Sequence, residues 1–382
     1  MRLLIATFAG DVHALEVALV LRDRGHEVVQ WYGSDFPTLQ SASVELDGRS
    51  ASWSAHGPEL ALDGREFDVV WYRRSAHPVL PARMHPGDRP VAQRECEDFL
   101  ACLWALVSPG AYWVNPPASR ARAELKLVQL REAQRAGLEV PRTLSSNDPA
   151  RIRAFLAQAG GPVVYKAFYP AWWSDGDRVA HLLTSEVDAA ALPEDEVLRL
   201  TPGIFQPRIE KAHELRVTVL GTRVVTARIV SQAHTATRLD WRRRTKELAL
   251  EPDELPPEVE RRVHELMRRL GLVFGCLDFI VTPDGRHVFL EVNPMGQFLW
   301  VEHSHPEIRL LGPFCDFLLA RGGPVGDECA DVRHADWFER ADAAAAALAR
   351  DHVRWEGEFT SSDASTPSGR PGAEAKPEGV SP

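Results

Sequence analysis

The chain has 382 residues, a length that fits two or three packed modules, and 45% of the residues are hydrophobic, enough for a large buried core. The formal net charge of −10 argues against wide contact with the phosphate backbone of DNA or RNA. Five scattered cysteines without a CxxC pair indicate a reduced, cytoplasmic chain, and no uncharged run is long enough to span a membrane. Composition therefore favours a globular protein that binds neither nucleic acid nor membrane.

The first module, residues 1–117, begins with a strand–helix–strand pattern. The apolar run at 2–8 predicts a buried strand, His13–Arg24 predicts a helix closed by Gly25, and Glu27–Trp31 predicts the next strand. The GxGxxG motif is missing, so a dinucleotide site is not supported. Further along, Asp-Gly pairs predict hairpins at 43–53 and 59–72. An amphipathic pattern predicts a helix over Gln93–Leu106.

The remaining chain divides into four segments. Residues 118–193 contain a predicted helix over Ser119–Ala136, a second helix opened by Asp148 and Pro149, and a short strand with Lys166. Residues 194–322 contain five predicted strands and a helix from Pro257 to Leu270. Helical spacing of apolar residues predicts one amphipathic helix within 323–357, which we expect to pack on the body. The tail at 358–382 is rich in Ser, Thr, Pro, Gly and Glu and is predicted to be disordered. The fold class is α/β (α+β).

The strongest chemical signal is the predicted hairpin at 277–293, LDFIVTPDGRHVFLEVN. If the hairpin is symmetric about Asp284 and Gly285, Asp278 lies opposite Glu291, and Asn293 points to the same face. Two carboxylates and a carboxamide on rigid strands suit Mg²⁺, which takes its other ligands from water and phosphate. An ordinary hairpin with two polar residues on its wet face is the alternative.

Lysine is rare in this sequence. Of 44 basic residues only five are lysine, so a retained lysine suggests that a compact ammonium group is wanted there. Lys126 on a predicted helix and Lys166 on a predicted strand could neutralise nucleotide phosphates. Two solvated lysines are the alternative interpretation, and Lys246 lies in a cationic run where other residues could replace it.

The segment IFQPRIEKAHELRVTVLG at 204–221 predicts a strand, a polar connector and a second strand. The connector would present Glu210 along a nucleotide, and Glu214 and Arg216 would alternate on one strand face. Arg228 and Arg242 would add fixed positive charge near a developing acyl phosphate. An amphipathic sheet with a polar outer face explains the same pattern equally well.

Together these stretches resemble the ATP-grasp superfamily and, within it, the ribosomal peptide maturases that make graspetides, the microviridin-type ligases. The resemblance covers about residues 1–320. Its motifs include WYRRS at 71–75, VNPP at 114–117, VYKAF at 164–168, DWR at 240–242, and the subgroup ending EVNPMGQFLWVE at 291–302. It implies an ATP-grasp fold of three subdomains with an N-terminal pre-ATP-grasp βαβ domain.

The resemblance also implies residue roles. Lys126 and Lys166 would bind ATP phosphates, Arg242 would steady the transferred phosphoryl group, and Arg216 would meet the substrate carboxylate. Residues Gln206 to Lys211, with Glu210 among them, would line the adenine pocket, and Glu214 would also bind the cofactor. Two Mg²⁺ ions would be held by Asp278, Glu291 and Asn293. The family usually has Asp-x-Arg where this chain has Glu214-Leu215-Arg216, so a ribose or substrate contact by Glu214 is shifted by one methylene.

The family implies a partner, a precursor peptide with a leader segment, whose Asp or Glu side chain is activated with ATP and joined to Ser, Thr or Lys. Arg73 and Arg74 could contact acidic residues of the leader or simply add surface charge. A homodimer stays open. Three rival functions also stay open: a ligase that adds a free amino acid to a protein or small molecule, a non-catalytic peptide-binding relative, and, disfavoured by the missing glycines, a nucleotide-sugar or dinucleotide enzyme.

Overall fold

The computed structural model describes residues 1–168, 172–175, 178–181, 184–242 and 248–353, with the backbone alone at 172–175 and 178–181. The expected tail at 358–382, the end of the expected C-terminal helix and Lys246 lie outside these ranges. Among the described helices, none combines the length and the apolar character needed to cross a membrane.

The N-terminal part is a parallel four-stranded sheet with an added antiparallel sheet. Its elements are β1 (Arg2–Thr7), α1 (Val12–Asp23), β2 (Glu27–Tyr32), β3 (Ser41–Leu46), β4 (Ala51–Gly57), β5 (Leu60–Asp63), β6 (Val69–Tyr72), α2 (Arg89–Leu106) and β7 (Tyr112–Val114). The parallel sheet has the order β2-β1-β6-β7, and the second sheet has the order β3-β4-β5. The predicted strand–helix–strand start is confirmed. The Asp11 side chain caps α1, and Gly25 follows it with a φ of +80°.

The first predicted hairpin is confirmed, and the second is wrong. Strands β3 and β4 flank Asp47-Gly48, but β5 pairs with β4 while β6 lies beside β1 in the parallel sheet. Val69, Val70 and Trp71 are consecutive and all buried. A strand that is buried on both faces belongs inside a covered parallel sheet, whereas a hairpin with one wet face alternates.

The central part is a small antiparallel sheet covered by a helix. Its elements are α3 (Pro117–Ala123), α4 (Lys126–Arg135), β8 (Leu144–Ser146), α5 (Pro149–Gln158), β9 (Val163–Lys166), β10 (Trp172–Asp175), β11 (Arg178–His181), β12 (Ser185–Val187), α6 (Asp195–Leu198) and β13 (Gly203–Pro207). The sheet order is β12-β9-β13-β8, and Ile152, Phe155 and Leu156 of α5 pack on it.

The predicted single helix over Ser119–Ala136 is wrong, because two helices occupy that range. Leu125 has an extended backbone (φ −76°, ψ 98°) and separates α3 from α4. Ala123 is buried, while Leu125 is exposed. The break makes Lys126 the first residue of α4, where its side chain faces the cleft described below.

The C-terminal part is a five-stranded antiparallel sheet between two helical layers. Its elements are β14 (His213–Leu220), β15 (Arg223–Ile229), β16 (Leu250–Asp253), α7 (Pro257–Leu270), β17 (Phe274–Val281), β18 (His287–Asn293), α8 (Leu299–Ser304) and α9 (Leu311–Ala320). The order is β16-β15-β14-β17-β18. Leu277 and Phe279 of β17 share a core with α4 and α7, whereas Phe274 and Cys276 share one with α9 and the N-terminal part. Alternation along β17 therefore points Asp278 away from α7.

The last described helix, α10 (His334–Asp351), packs on α1, as the apolar spacing predicted. Ala341 and Ala345 meet Val12 and Leu15. Buried polar contacts fix both ends of α10. The His334 ring bonds Glu16 at 2.6 Å, and the His352 ring bonds Asp35 at 2.6 Å, with a second bond from the Val353 N–H to Asp35.

We predict that His352→Ala strongly destabilises the fold, because it leaves the fully buried carboxylate of Asp35 without its ring partner. Removing one member of a buried pair costs about 3–5 kcal/mol in the free energy of unfolding. His56→Ala is the matched control, since His56 contacts Asp63 at 2.9 Å but both side chains are exposed. Chemical denaturation measures both variants. Equal losses in the free energy of unfolding would show that the His352–Asp35 contact contributes no more to stability than a surface pair.

Candidate active site

The β17–β18 hairpin places Asp278 directly opposite Glu291, as predicted, but the register of the strands differs from the predicted one. Near the turn, Val281 pairs with His287 and Phe279 with Phe289, a register centred on Asp284. Leu290 is then the extra residue of a β-bulge, which shifts the register by one and brings the two carboxylates face to face.

A guanidinium group lies between these carboxylates. Arg242 Nη2 is 2.6 Å from Glu291 Oε1 and 3.3 Å from Asp278 Oδ2. The Asp240 side chain accepts a bond from the Arg242 N–H, and Trp241 stacks on Trp300 with ring centroids 5.1 Å apart. Burial opposes the charge on Arg242, but the neighbouring carboxylates raise its pKa above the usual value. The carboxylate pair is thus arranged around a cation.

Two lysines complete the charged cluster. Lys126 Nζ is 3.8 Å from Glu291 Oε2, and Lys166 ends β9 on the opposite wall. Burial, aided by Arg242 and Lys126, lowers the pKa of Lys166 to about 8. Burial alone would raise the pKa of Glu291, yet Arg242, Lys126 and Lys166 together lower it to about 2. The cations thus dominate the electrostatics of this carboxylate, so the cluster suits an added anion.

A cleft with an open volume of about 900 Å³ joins the central sheet to the C-terminal sheet at this cluster. Apolar side chains, Val164, Ile280 and Leu290 among them, form part of its wall. Eight residues that the sequence singled out line it: Lys126, Lys166, Gln206, Lys211, Glu214, Arg242, Asp278 and Glu291. The connector after β13 forms one side, where the Lys211 ammonium contacts Glu214 at 2.8 Å. Burial raises the pKa of Glu214, and Lys211 opposes this shift.

Three of the expected site residues do not line this cleft. Glu210 is exposed and lines a second cavity behind the connector, together with Arg286. Asn293 accepts bonds on its side-chain oxygen from the Met295 and Gly296 N–H groups, at 3.0 and 3.1 Å. Arg216 is buried and donates to Asp278 Oδ1 and to the Gln297 carbonyl, both at 2.9 Å.

Two arginine assignments from sequence are corrected. Arg228 lies on β15 and pairs with Asp253 at 2.8 Å, outside the lining of the cleft. Arg73 is fully buried and Arg74 is buried too, so neither is surface charge. Asp240 joins the site although the sequence did not mark it as a site residue. Its position next to Trp241 and Arg242 in the DWR motif was the available signal.

No family model matches the chain, and no curated protein matches it in sequence. Solved structures do match. The macrocyclase MdnC of Microcystis aeruginosa, bound with precursor peptide MdnA, is 30% identical with a TM-score of 0.74, over 84% of this chain and 99% of MdnC. The chain belongs to the RiPP-associated ATP-grasp ligases.

Two further members of this family have similar structures. The ligase of Chryseobacterium gregarium, in complex with ADP and a leader and core peptide, has a TM-score of 0.76 and 26% identity, over 86% of this chain and 98% of that one. The ligase PsnB, complexed with minimal precursor, Mg and ADP, has a TM-score of 0.64 and 26% identity, over 84% of this chain and 98% of PsnB. The α/β ATP-grasp fold expected from sequence is confirmed.

We predict that nucleotide binding by this ligase weakens as pH rises through about 8. Lys166 is protonated below its pKa and loses its charge above it. If only the charged form binds phosphate, the affinity at pH 9 falls about tenfold relative to pH 7. Lys166→Arg should abolish this pH dependence, because a guanidinium stays charged. Calorimetric titration with a non-hydrolysable ATP analogue measures both proteins. The same pH dependence in Lys166→Arg would contradict the role of Lys166.

Proposed function

We propose that this ligase uses ATP to activate an Asp or Glu side chain of a ribosomal precursor peptide and closes an ester or amide ring. One observation carries the proposal. In a fold shared with peptide-bound ATP-grasp ligases, Arg242 bridges two facing carboxylates beside Lys126 and Lys166. Anion-binding cations next to a cation-binding carboxylate pair are the groups that phosphoryl transfer requires.

The carboxylate pair fits Mg²⁺. Mg²⁺ is commonly held by one or two protein carboxylates and completes its shell with phosphate oxygens and water. Asp278 and Glu291 would hold it, and in this structure their two charges face the guanidinium groups of Arg242 and Arg216. Asn293 would join only if its oxygen left the Met295 and Gly296 N–H groups. Within the described ranges, no cluster of three His, Cys, Asp or Glu side chains offers a metal site made by the protein alone. Bound Mg²⁺ would neutralise charge on the phosphates.

The chain's own residues would position the reactants. Lys126 and Lys166 would bind ATP phosphates, while the 206–211 connector and the apolar wall with Ile280 and Leu290 would hold adenosine. Arg242, displaced from the carboxylates, would contact the transferred phosphoryl group. Arg216, already bonded to Asp278, would orient that carboxylate rather than meet the substrate.

Two displacements make one bond. A substrate carboxylate oxygen attacks the γ-phosphorus, and the bond from the γ-phosphorus to the β-phosphate oxygen breaks. ADP departs, and the substrate carboxylate is now an acyl phosphate. A hydroxyl or amine of the same peptide then attacks the acyl carbon, phosphate leaves, and the nucleophile loses its proton. Both groups belong to one bound peptide, so binding already meets most of the entropic cost of bringing them together.

The compartment that fits this reaction is the cytoplasm, because none of the five cysteines forms a disulfide bond.

We predict that Glu291→Gln abolishes ligation and the Mg²⁺ dependence of nucleotide-analogue binding, because it keeps the side-chain shape and removes one metal-binding charge. Glu251→Gln is the control, since Glu251 is an exposed strand residue 3.8 Å from Arg228. Near-parental turnover of the Glu291 variant at saturating Mg²⁺ would overturn the metal assignment.

We predict that enzyme, ATP, Mg²⁺ and a precursor peptide from the same gene cluster give a product that lacks one water per bond. ADP and phosphate should appear in equal amounts with each bond, as mass spectrometry and coupled assays can measure. Mild base should reopen esters and spare amides. AMP and pyrophosphate would instead indicate adenylation. A mass gain of one amino acid residue would favour the rival ligase that adds a free amino acid.

A further inference from the structure

Arg73 is the most buried cation of the N-terminal part, with no exposed surface, yet it lies outside the cleft. It follows β6, and its N–H donates to the Ala6 carbonyl of β1, so its backbone is fixed to the parallel sheet. Its Nε donates to Asp11 Oδ2 at 2.6 Å. Asp11 is in turn the cap of α1 and accepts a bond from Thr7. One end of the guanidinium is therefore anchored to the N-terminal sheet and its first helix.

The other end of the guanidinium reaches the turn after the metal-site strand. Arg73 Nη1 donates to the Met295 and Gly296 carbonyls at 3.0 and 3.1 Å, and Nη2 donates to Gln297 Oε1 at 3.2 Å. These atoms are more than 220 residues away along the chain. A planar fork of N–H groups can serve several acceptors at once, which a lysine ammonium on a flexible stem does not reproduce.

The same turn supports the cleft. The Gln297 carbonyl accepts from Arg216 Nη2 at 2.9 Å, and Arg216 Nη1 donates to Asp278 Oδ1 at 2.9 Å. Arg73 thus binds the side-chain oxygen of Gln297, and Arg216 binds its backbone carbonyl. Each arginine has its second attachment on a rigid element.

We propose that Arg73 is a positioning residue of the ligase, which fixes the 295–297 turn and, through Gln297 and Arg216, sets the position of Asp278. This proposal rests on the role of Asp278 in the proposed function. Arg73 touches neither nucleotide nor peptide in this scheme. Its effect is to couple the N-terminal sheet to the metal-site hairpin.

Arg73→Lys tests the proposal, because lysine keeps the buried charge beside Asp11 but cannot serve all the turn acceptors. A misplacement of about 1 Å can cost on the order of a hundredfold in rate, so we expect kcat to fall by about 10- to 100-fold. Binding of a nucleotide analogue without Mg²⁺ should change less than about twofold, since Lys126, Lys166 and the connector are untouched. The Mg²⁺ concentration for half-maximal rate should rise.

Arg22→Lys is the matched control. Arg22 is an exposed arginine of α1 whose guanidinium donates to the Val28 carbonyl at 2.8 Å in a part-buried bond, but it does not reach the turn. The kcat of the Arg22→Lys variant should fall by less than about twofold, as expected for a change away from the reacting groups. Equal kcat in Arg73→Lys and Arg22→Lys, with both folded, would overturn the proposal.

A double-variant cycle separates positioning from general destabilisation. Gln297→Ala removes the side-chain acceptor while leaving the buried charges in place. If Arg73 acts through Gln297, the Arg73→Lys, Gln297→Ala double variant should lose little more in kcat than Arg73→Lys alone. Strictly additive losses would overturn the coupling. The Mg²⁺ dependence of analogue binding needs no peptide, so it tests the coupling even if the parent enzyme fails to ligate the precursor.

Discussion

The turn from Asn293 to Gln297 is largely buried, with Asn293 and Met295 half-buried, and its buried backbone polar groups must find partners in the protein. The Asn293 oxygen accepts from the N–H groups of Met295 and Gly296, while Arg73 donates to the carbonyls of the same two residues. The Pro294 carbonyl accepts from Asn115, and the Gln297 carbonyl accepts from Arg216. Because these partners lie far apart along the chain, the hydrogen bonds of one turn tie the N-terminal part to β18.

The cleft next to this turn holds several like charges close together. Lys126, Lys166 and Arg242 surround Glu291, and Arg216 is paired with Asp278. Such a cluster is unfavourable unless rigid elements hold it, since burial and mutual repulsion both disfavour the charged forms. Burial and the neighbouring cations lower the pKa of Lys166. Under the proposed function, a bound phosphate would reduce this repulsion between cations.

The sequence predicted the structural features that neighbouring residues determine. It missed the features that depend on contacts between residues far apart in the chain. Helix Pro257–Leu270 was predicted with its bounds, because a proline start, an apolar stripe and Gly271 in the left-handed region are local signals. The facing of Asp278 and Glu291 was predicted too, although the bulge that produces it was not. The helix break at Leu125 was missed because it depends on packing. The burial of Arg73 was missed because its acceptors lie over 200 residues away in sequence.

The subgroup ending LWVE now has a structural meaning of its own. Buried Glu302 accepts bonds from the N–H groups of Leu310, Leu311 and His334, so it joins α8 to the starts of α9 and α10. The segment after Gly322 contains α10, the last described helix. Its helix α10 packs on α1, whose cap Asp11 is the partner of Arg73. A buried carboxylate and the contact with α1 thus connect α10 to the network that holds the site, so this helix is part of the enzyme's scaffold.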